Sequence, residues 1–477
     1  MTSVSSTTIK YLLGIAILAL LIRMMAGLAV GWDRLTSAAD QPLYHAFAKN
    51  ILEGKGFQVP ELPQKVNKGN QGELDLKSTG YFGVVLPNHP TAFFEPVYPV
   101  MMAMAYGIFG EHPGAARLFQ SLFDAIGCFL IGWMGVKLFG TWQGILAGLM
   151  YAFYPAFIGL TTVLWTIGMG VFTMVLALAL TVNFQQKPTG WSALWMGLAW
   201  GLAVLTRTAL LPFFAVVLIL CWWDLRKVQN ISISIKSRSF WKYPALMIAG
   251  ILVLLLPWGI RNALVMGHFT VMPTKGGRNM WEANNCVFSG PYWKYSATAD
   301  GMARIYHKYA ASRRDRIQRT DLIEYPNFSL KTGEFERDQQ LTRQVKDFLT
   351  ANPKVAIELC FLRLYSLFRI QPAGFSKGLL SLIGLFSMGF VLFMGLLGLI
   401  VNAKHWSRYK IFYLLILYYI AVHTVTAAGI PHRLPLDAVL ILFAASALYW
   451  IYNTLFHHNR NTKISPTPTI IPPNEAL

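Results

Sequence analysis

The sequence predicts an all-α fold, a polytopic transmembrane helix bundle with interfacial helices in large outer loops. Three observations carry that reading. Of 477 residues, 55% are apolar and only 13% are charged, about half the charged share of an ordinary soluble domain. The apolar residues fall in long blocks, several of which reach the roughly 20 residues that cross a bilayer as a helix. Lys and Arg total 41 against 22 Asp and Glu, a net charge of +19, and many of them flank those blocks. Beside membrane spans such an excess meets anionic headgroups, so nucleic acid is not expected as a partner. A disordered chain, a coiled coil and a small disulfide scaffold are excluded by the same composition.

Ten spans are read along the chain, at 11–32, 115–139, 142–160, 163–184, 191–205, 209–223, 244–260, 378–402, 409–428 and 434–456. The run from Tyr11 to Trp32 is longer than the core of a cleaved signal and reads as the first span. Residues 191–223 read either as two short helices or as one helix kinked around Arg207. The chain divides into a first span (1–32), an outer loop (33–114), a transmembrane core (115–260), a large outer loop (261–377), C-terminal transmembrane helices (378–456) and a tail (457–477). Basic residues in the 224–243 loop, around 403–408 and in the tail place those segments in the cytoplasm. Both termini then lie inside, and the two large loops face outward, on the periplasmic or extracellular side of a plasma (inner) membrane.

Within the first outer loop, Leu43, Tyr44, Phe47, Ile51 and Leu52 fall on one face of a helix over 41–53, with Asp40 as its N-cap. The apolar stretch 96–110 is too short to span, and 60–95 reads as a loop. Residues 354–370 alternate Arg363 and Arg369 with Leu and Phe, as a helix lying on a membrane does. The tail is Pro-rich. The four cysteines, Cys128, Cys221, Cys286 and Cys360, show no metal-ligand spacing, and a Cys286–Cys360 bridge is not expected.

Polar groups collect on the outer side. Asp33 and Asp40 open the first loop, Arg207 sits in a tight turn, and Arg261 ends a span with Lys275 and Arg278 close behind. His432 and Arg433 precede the last span. A site that holds a lipid-linked phosphate and activates a hydroxyl needs such a set: cations hold the leaving phosphate, and a carboxylate takes the acceptor's proton. Arg suits phosphate because its fork binds two oxygens. The bland reading is that each cation meets headgroups only, that Asp40 is only a cap, and that Asp33 marks a boundary. Arg23 and Asp124 lie inside apolar spans, each about 14 Å below the outer surface at 1.5 Å per residue. Buried charges are expensive alone, so the two are expected to pair and fix their helices to each other.

These motifs resemble the GT-C membrane glycosyltransferases. The run from Asp40-Gln41-Pro42-Leu43-Tyr44 to Gly54-Lys55-Gly56-Phe57 is similar to the first outer loop of the protein mannosyltransferase-like enzymes and of the lipid A aminoarabinose transferase. Glu95-Pro96-Val97-Tyr98-Pro99, Ala115-Ala116-Arg117-Leu118-Phe119-Gln120, Leu205-Thr206-Arg207, Pro257-Trp258-Gly259-Ile260-Arg261-Asn262, Gly276-Gly277-Arg278-Asn279-Met280-Trp281 and His432-Arg433-Leu434-Pro435 follow in the family's order. The resemblance covers about 40–440 and implies a sugar on a polyprenyl phosphate as donor. It implies Asp40 as catalytic base and Arg261, Arg433, Arg207 and Lys275 as phosphate contacts. Tyr44, Glu95, Arg278, Trp281 and His432 are the further candidates for sugar or acceptor contacts, with Tyr292 and Trp293 as stacking candidates. The chain departs from the pattern at Gln41 and at Ile167, where many relatives carry acids. No cofactor or metal is therefore assigned, and divalent metal use stays open.

The expected reaction is direct displacement at the anomeric carbon, with inversion. Its energy comes from the phosphosugar bond, and no Gly-rich phosphate loop for ATP is seen. The partners are the lipid-linked sugar, membrane lipids and an acceptor glycan, lipid or protein. The rival readings are a transporter or lipid flippase, which would show discontinuous helices in matching halves, and an inactive membrane scaffold.

Overall fold

The computed structural model describes residues 4–35, 41–58, 89–228, 238–284, 332–370, 379–426 and 429–456. Among them the regular structure is helical, apart from one isolated bridge between Gln58 and Pro90. Asp40, Cys286, Tyr292, Trp293 and the tail lie outside the described residues.

The membrane bundle contains α1 (Ser6–Val30), α4 (Pro113–Leu138), α5 (Thr141–Ala152), α6 (Pro155–Thr162), α7 (Thr166–Gln186), α8 (Gly190–Thr206), α9 (Leu211–Val228), α10 (Arg238–Met266), α14 (Leu379–Asn402), α15 (Trp406–Val425) and α16 (Ile430–Phe456). Between them sit α2 (Gln41–Leu52), α3 (Val97–Phe109), α11 (Gly276–Asn284), α12 (Glu334–Ala351) and α13 (Pro353–Phe368). The chain is a multi-pass membrane protein. Among the described residues seven stretches are long and apolar enough to cross a bilayer, or eight if the α5–α6 pair, bent by 46°, counts as one span.

Two differences from the ten expected spans have physical causes. Pro155 opens a new helix at the α5–α6 break, so 142–160 is a broken span. The 191–205 segment is α8, only 17 residues long. Arg207 is extended (φ −147°, ψ 94°), and a 3-10 turn at Thr208–Leu210 separates α8 from α9, so 191–223 is two helices. Further on, the expected spans 378–402 and 409–428 are α14 and α15, separated by the Ala403–His405 turn, where the Tyr413 hydroxyl donates to the Leu399 carbonyl at 2.6 Å.

Core position follows from what each helix touches. α7 and α16 are mostly buried, while α1, α10 and α14 leave broad apolar faces exposed, as lipid-facing helices do. α8 and α10 approach so closely that a Cβ on Gly197 would lie 2.2 Å from the Met247 carbonyl oxygen, and one on Gly250 would lie 2.6 Å from that of Leu194. Small residues permit such backbone contact where the hydrophobic effect gives helices little reason to associate.

Arg23 and Asp124 form an ion pair between α1 and α4. Arg23 also donates to the carbonyls of Ala152 (2.9 Å) and Tyr151 (3.2 Å), and the Tyr151 hydroxyl donates to Asp124 at 2.8 Å. Both charges are buried, and the network satisfies them while locking three helices together.

The bundle has two distinct ends. At one, Lys410 pairs with Asp224, and Arg408 donates to the Lys137 carbonyl at 3.3 Å. At the other, Arg117 gathers the exit of α1 and the α6–α7 turn by donating to the carbonyls of Gly31 (2.8 Å), Arg34 and Thr162 (3.0 Å). The outer helices cap that second end. Leu43, Tyr44, Phe47 and Ala48 of α2 are buried against α3 and Trp281. Leu52 is 43% exposed, because nine residues on from Leu43 it has turned about 180° away at 100° per residue.

Candidate functional site

The capping layer is knitted together by groups far apart in sequence. Arg261, on the outer turn of α10, donates from Nη1 to the Thr91 carbonyl (2.8 Å) and from Nη2 to the Phe57 carbonyl (2.9 Å). Its guanidinium lies over the Trp258 ring at 5.1 Å. Glu334 completes the joint: it accepts from the Thr91 hydroxyl (2.7 Å), the Ala92 amide (3.1 Å) and the Thr274 hydroxyl. Burial is the largest influence on its carboxyl and raises its pKa, against these three bonds and the charge of Arg261. Gly277 lets α11 meet α12, since a Cβ there would lie 2.1 Å from the Asp338 carbonyl oxygen. The Gly277 amide donates to the Asp338 side chain at 2.6 Å, and burial raises that carboxyl's pKa too.

Beneath this cap stand four basic side chains from separate elements, two of them in ring contact. The charges acting on the His432 ring are those of His423, Arg207 and Lys275. The rings of His423 and His432 are 5.0 Å apart, and Tyr419 lies 5.1 Å from His423. Arg207 leaves the end of α8 and lies against α7, where a Cβ on Gly170 would come within 2.8 Å of its Cδ. The Arg207 guanidinium has no hydrogen bond or ion pair among the described residues. His432 Nδ1 is buried without a partner there. Lys275 pairs with Glu95 at 2.6 Å and sits over the Phe94 ring at 5.0 Å. A surplus of cation and N–H groups at one end of a membrane bundle suits an anion with several oxygens.

Next to this cluster, Arg433 is fully buried. Its Nε donates to Asp437 (3.0 Å) and its Nη1 to the Arg369 carbonyl (3.0 Å), while the Tyr154 hydroxyl donates to Asp437 (2.7 Å). Its Nη2 has no partner among the described residues.

The structure thus sorts the residues singled out by sequence. Arg207, Lys275, His432 and Glu95 come together. Arg261 is engaged by backbone carbonyls and acts first as a clamp; Arg433 is largely engaged too, with one amino group left. Tyr44 is not open to a substrate: it is 2% exposed and packs edge-on against Tyr98, ring centroids 4.9 Å apart. Trp281 is likewise core, and Arg278 bonds Glu282 at 2.8 Å along its own helix. Gln41 is buried and accepts from the Leu164 amide at 3.3 Å, and Ile167 is an apolar core residue. Arg363, expected to lie at the membrane surface, is buried and donates to the Thr424 carbonyl (2.6 Å) and to Asn284 (2.7 Å). Its helix instead exposes Ile357, Phe361 and Tyr365 on one stripe. Among the described residues no cluster of His, Cys, Asp or Glu is placed to hold a metal ion.

Sequence reasoning gives no role to Arg117, Glu334 or Asp437. Asp437 carries a usable signal, an acid four residues after Arg433 in an apolar span. Glu334 carries none, because its partners are 242 and 60 residues away.

Residues 88–260 match the family model for dolichyl-phosphate-mannose-protein mannosyltransferases. The crystal structure of the Archaeoglobus fulgidus oligosaccharyltransferase in the apo form superposes with a TM-score of 0.53 at 13% identity, covering 94% of this chain. The chain has the GT-C fold. The chain spans about half of that oligosaccharyltransferase, 51% of its length. The same archaeal protein tethered to an acceptor peptide superposes with a TM-score of 0.52 at 13% identity, covering 93% of this chain and 50% of that one. ArnT from Cupriavidus metallidurans bound to undecaprenyl phosphate gives a TM-score of 0.40 at 13% identity, covering 93% and 79% of the two chains. No curated protein sequence matches.

Proposed function

We propose that this protein is an integral-membrane glycosyltransferase that moves a sugar from a polyprenyl-phosphate donor to an acceptor hydroxyl or phosphate. The observation that carries the reading is the gathering of Arg207, Lys275, His423 and His432 under the outer cap, with Arg207 and His432 Nδ1 unengaged among the described residues. The printed name of the matching family supports a donor of the dolichyl-phosphate-sugar class.

In this reading the prenyl tail lies between the lipid-facing helices. The phosphate meets Arg207 and Lys275, with the free amino group of Arg433 beside them. Arg261 holds the Phe57 and Thr91 segments over the site. Asp40, the residue before buried Gln41, accepts the proton of the incoming hydroxyl, which displaces the prenyl phosphate with inversion. The two cations stabilise the charge that grows on the leaving oxygen. The reading assigns no step to a metal. The end bearing Lys137, Arg408 and Lys410 faces the cytoplasm by the positive-inside rule, which puts both termini inside and the site on the periplasmic or extracellular face.

The test is turnover of a polyprenyl-phosphate sugar by the full chain in lipid nanodiscs. Asp40→Asn should abolish release of free polyprenyl phosphate, and Arg207→Ala should raise KM for the donor. Normal release by Asp40→Asn removes that residue as base. Movement of intact donor across vesicles with no release favours the flippase reading.

A further inference from the structure

Within the basic cluster, Lys275 carries a counter-ion. Its Nζ lies 2.6 Å from Glu95 Oε2, and the two side chains are only 18% and 10% exposed. Water screens such a pair weakly. The charge of Lys275 is also felt at the His432 ring, as is that of Arg207. Glu95 is fixed from its own side: it follows Thr91 and Ala92, which Glu334 and Arg261 hold to the cap. A carboxylate is therefore held against the cation that a phosphate would need.

We infer that Glu95 is an internal competitor for the anion seat: its carboxylate occupies Lys275 in the free protein, and the phosphate group of a prenyl-linked ligand, donor or released product, takes its place. This rests on the function proposed above and adds an exchange step to it. The exchange breaks the Glu95–Lys275 contact and forms a phosphate–Lys275 contact with no proton or covalent bond moved. Glu95, released, turns its negative charge away from the bound phosphate. Its role is to set affinity and favour ligands that bring enough negative charge to displace it, so it is a positioning residue rather than a catalytic one.

The consequence is quantitative. If Lys275 is free of Glu95 in roughly one molecule in ten, the measured affinity is about tenfold below that of the unmasked seat. The experiment titrates full-length protein in phosphatidylcholine nanodiscs with undecaprenyl phosphate and, separately, with inorganic phosphate. Glu95→Gln should bind undecaprenyl phosphate about tenfold more tightly than wild type, and Glu95→Asp, with a shorter reach, should gain less. Lys275→Met should bind more weakly, and adding Glu95→Gln to it should bring no gain. A parallel gain with inorganic phosphate means that the headgroup alone drives the exchange; a gain with the lipid alone means that the tail delivers it. Unchanged or weaker binding by Glu95→Gln, or a gain that persists in the Lys275→Met background, overturns the inference while leaving the proposed function standing. No binding of undecaprenyl phosphate by folded wild-type protein overturns both.

Discussion

Arg261 and Thr91, 170 residues apart, are joined by a hydrogen bond of 2.8 Å from the guanidinium to the backbone carbonyl. A second bond to the Phe57 carbonyl makes Arg261 a two-point clamp on the first outer loop. Removing it leaves two carbonyls without their charged donor, a loss of about 1.5–3 kcal/mol for each bond. Arg261→Ala should therefore lower the melting temperature and speed proteolysis near residues 57 and 91 before any ligand is added. A variant with wild-type stability and protection would show that the clamp is not formed.

The Arg23–Asp124 pair makes a different prediction. Asp124→Asn and Arg23→Gln should each destabilise by about 3–5 kcal/mol, since each strands a buried partner. The double variant should lose clearly less than the sum. Strict additivity in a double-mutant cycle would show the two charges to be uncoupled.

Glu334 predicts a pH dependence. Burial raises its pKa in the folded state above the ordinary carboxyl value. A raised value means that the folded protein binds the proton more tightly than the unfolded chain does. The stability it contributes is then full below the unfolded value and is lost as pH rises through the folded one. Between those values wild type should weaken with rising pH, and Glu334→Gln should flatten that slope. The Gln oxygen can still accept from Ala92 and Thr274, so its cap stays attached. A slope unchanged by Glu334→Gln would assign it to other groups.

At the α11–α12 contact, Gly277→Ala must push a methyl into the Asp338 carbonyl. Overpacking of this kind costs about 1–3 kcal/mol. Thermal unfolding should show it, and a neutral result would mean that the two helices are further apart than described here.

The bundle was legible because its signal is local: apolar runs of bilayer length need no knowledge of partners. The depth argument likewise brings Arg23 and Asp124 to one level of neighbouring helices. The turn at Ala403–His405 was legible because Lys404, His405 and Arg408 interrupt the apolar run, whereas the bend at Pro155 was not, since it leaves hydropathy nearly unchanged. The cluster was partly legible because Arg207, Lys275 and His432 each stand at a helix end. What could not be read was engagement. Whether an arginine lacks a partner among the described residues, as Arg207 does, or is bound to carbonyls, as Arg261 and Arg363 are, depends on backbone that sequence does not position.

The most direct measurement follows the leaving group. Wild-type protein in nanodiscs, given a polyprenyl-phosphate sugar and a hydroxyl acceptor, should release free polyprenyl phosphate; Arg207→Ala should require far more donor, and Asp40→Asn should release none. Release at wild-type rates by both variants, or none from folded wild type across a panel of donor sugars and acceptors, would contradict the account.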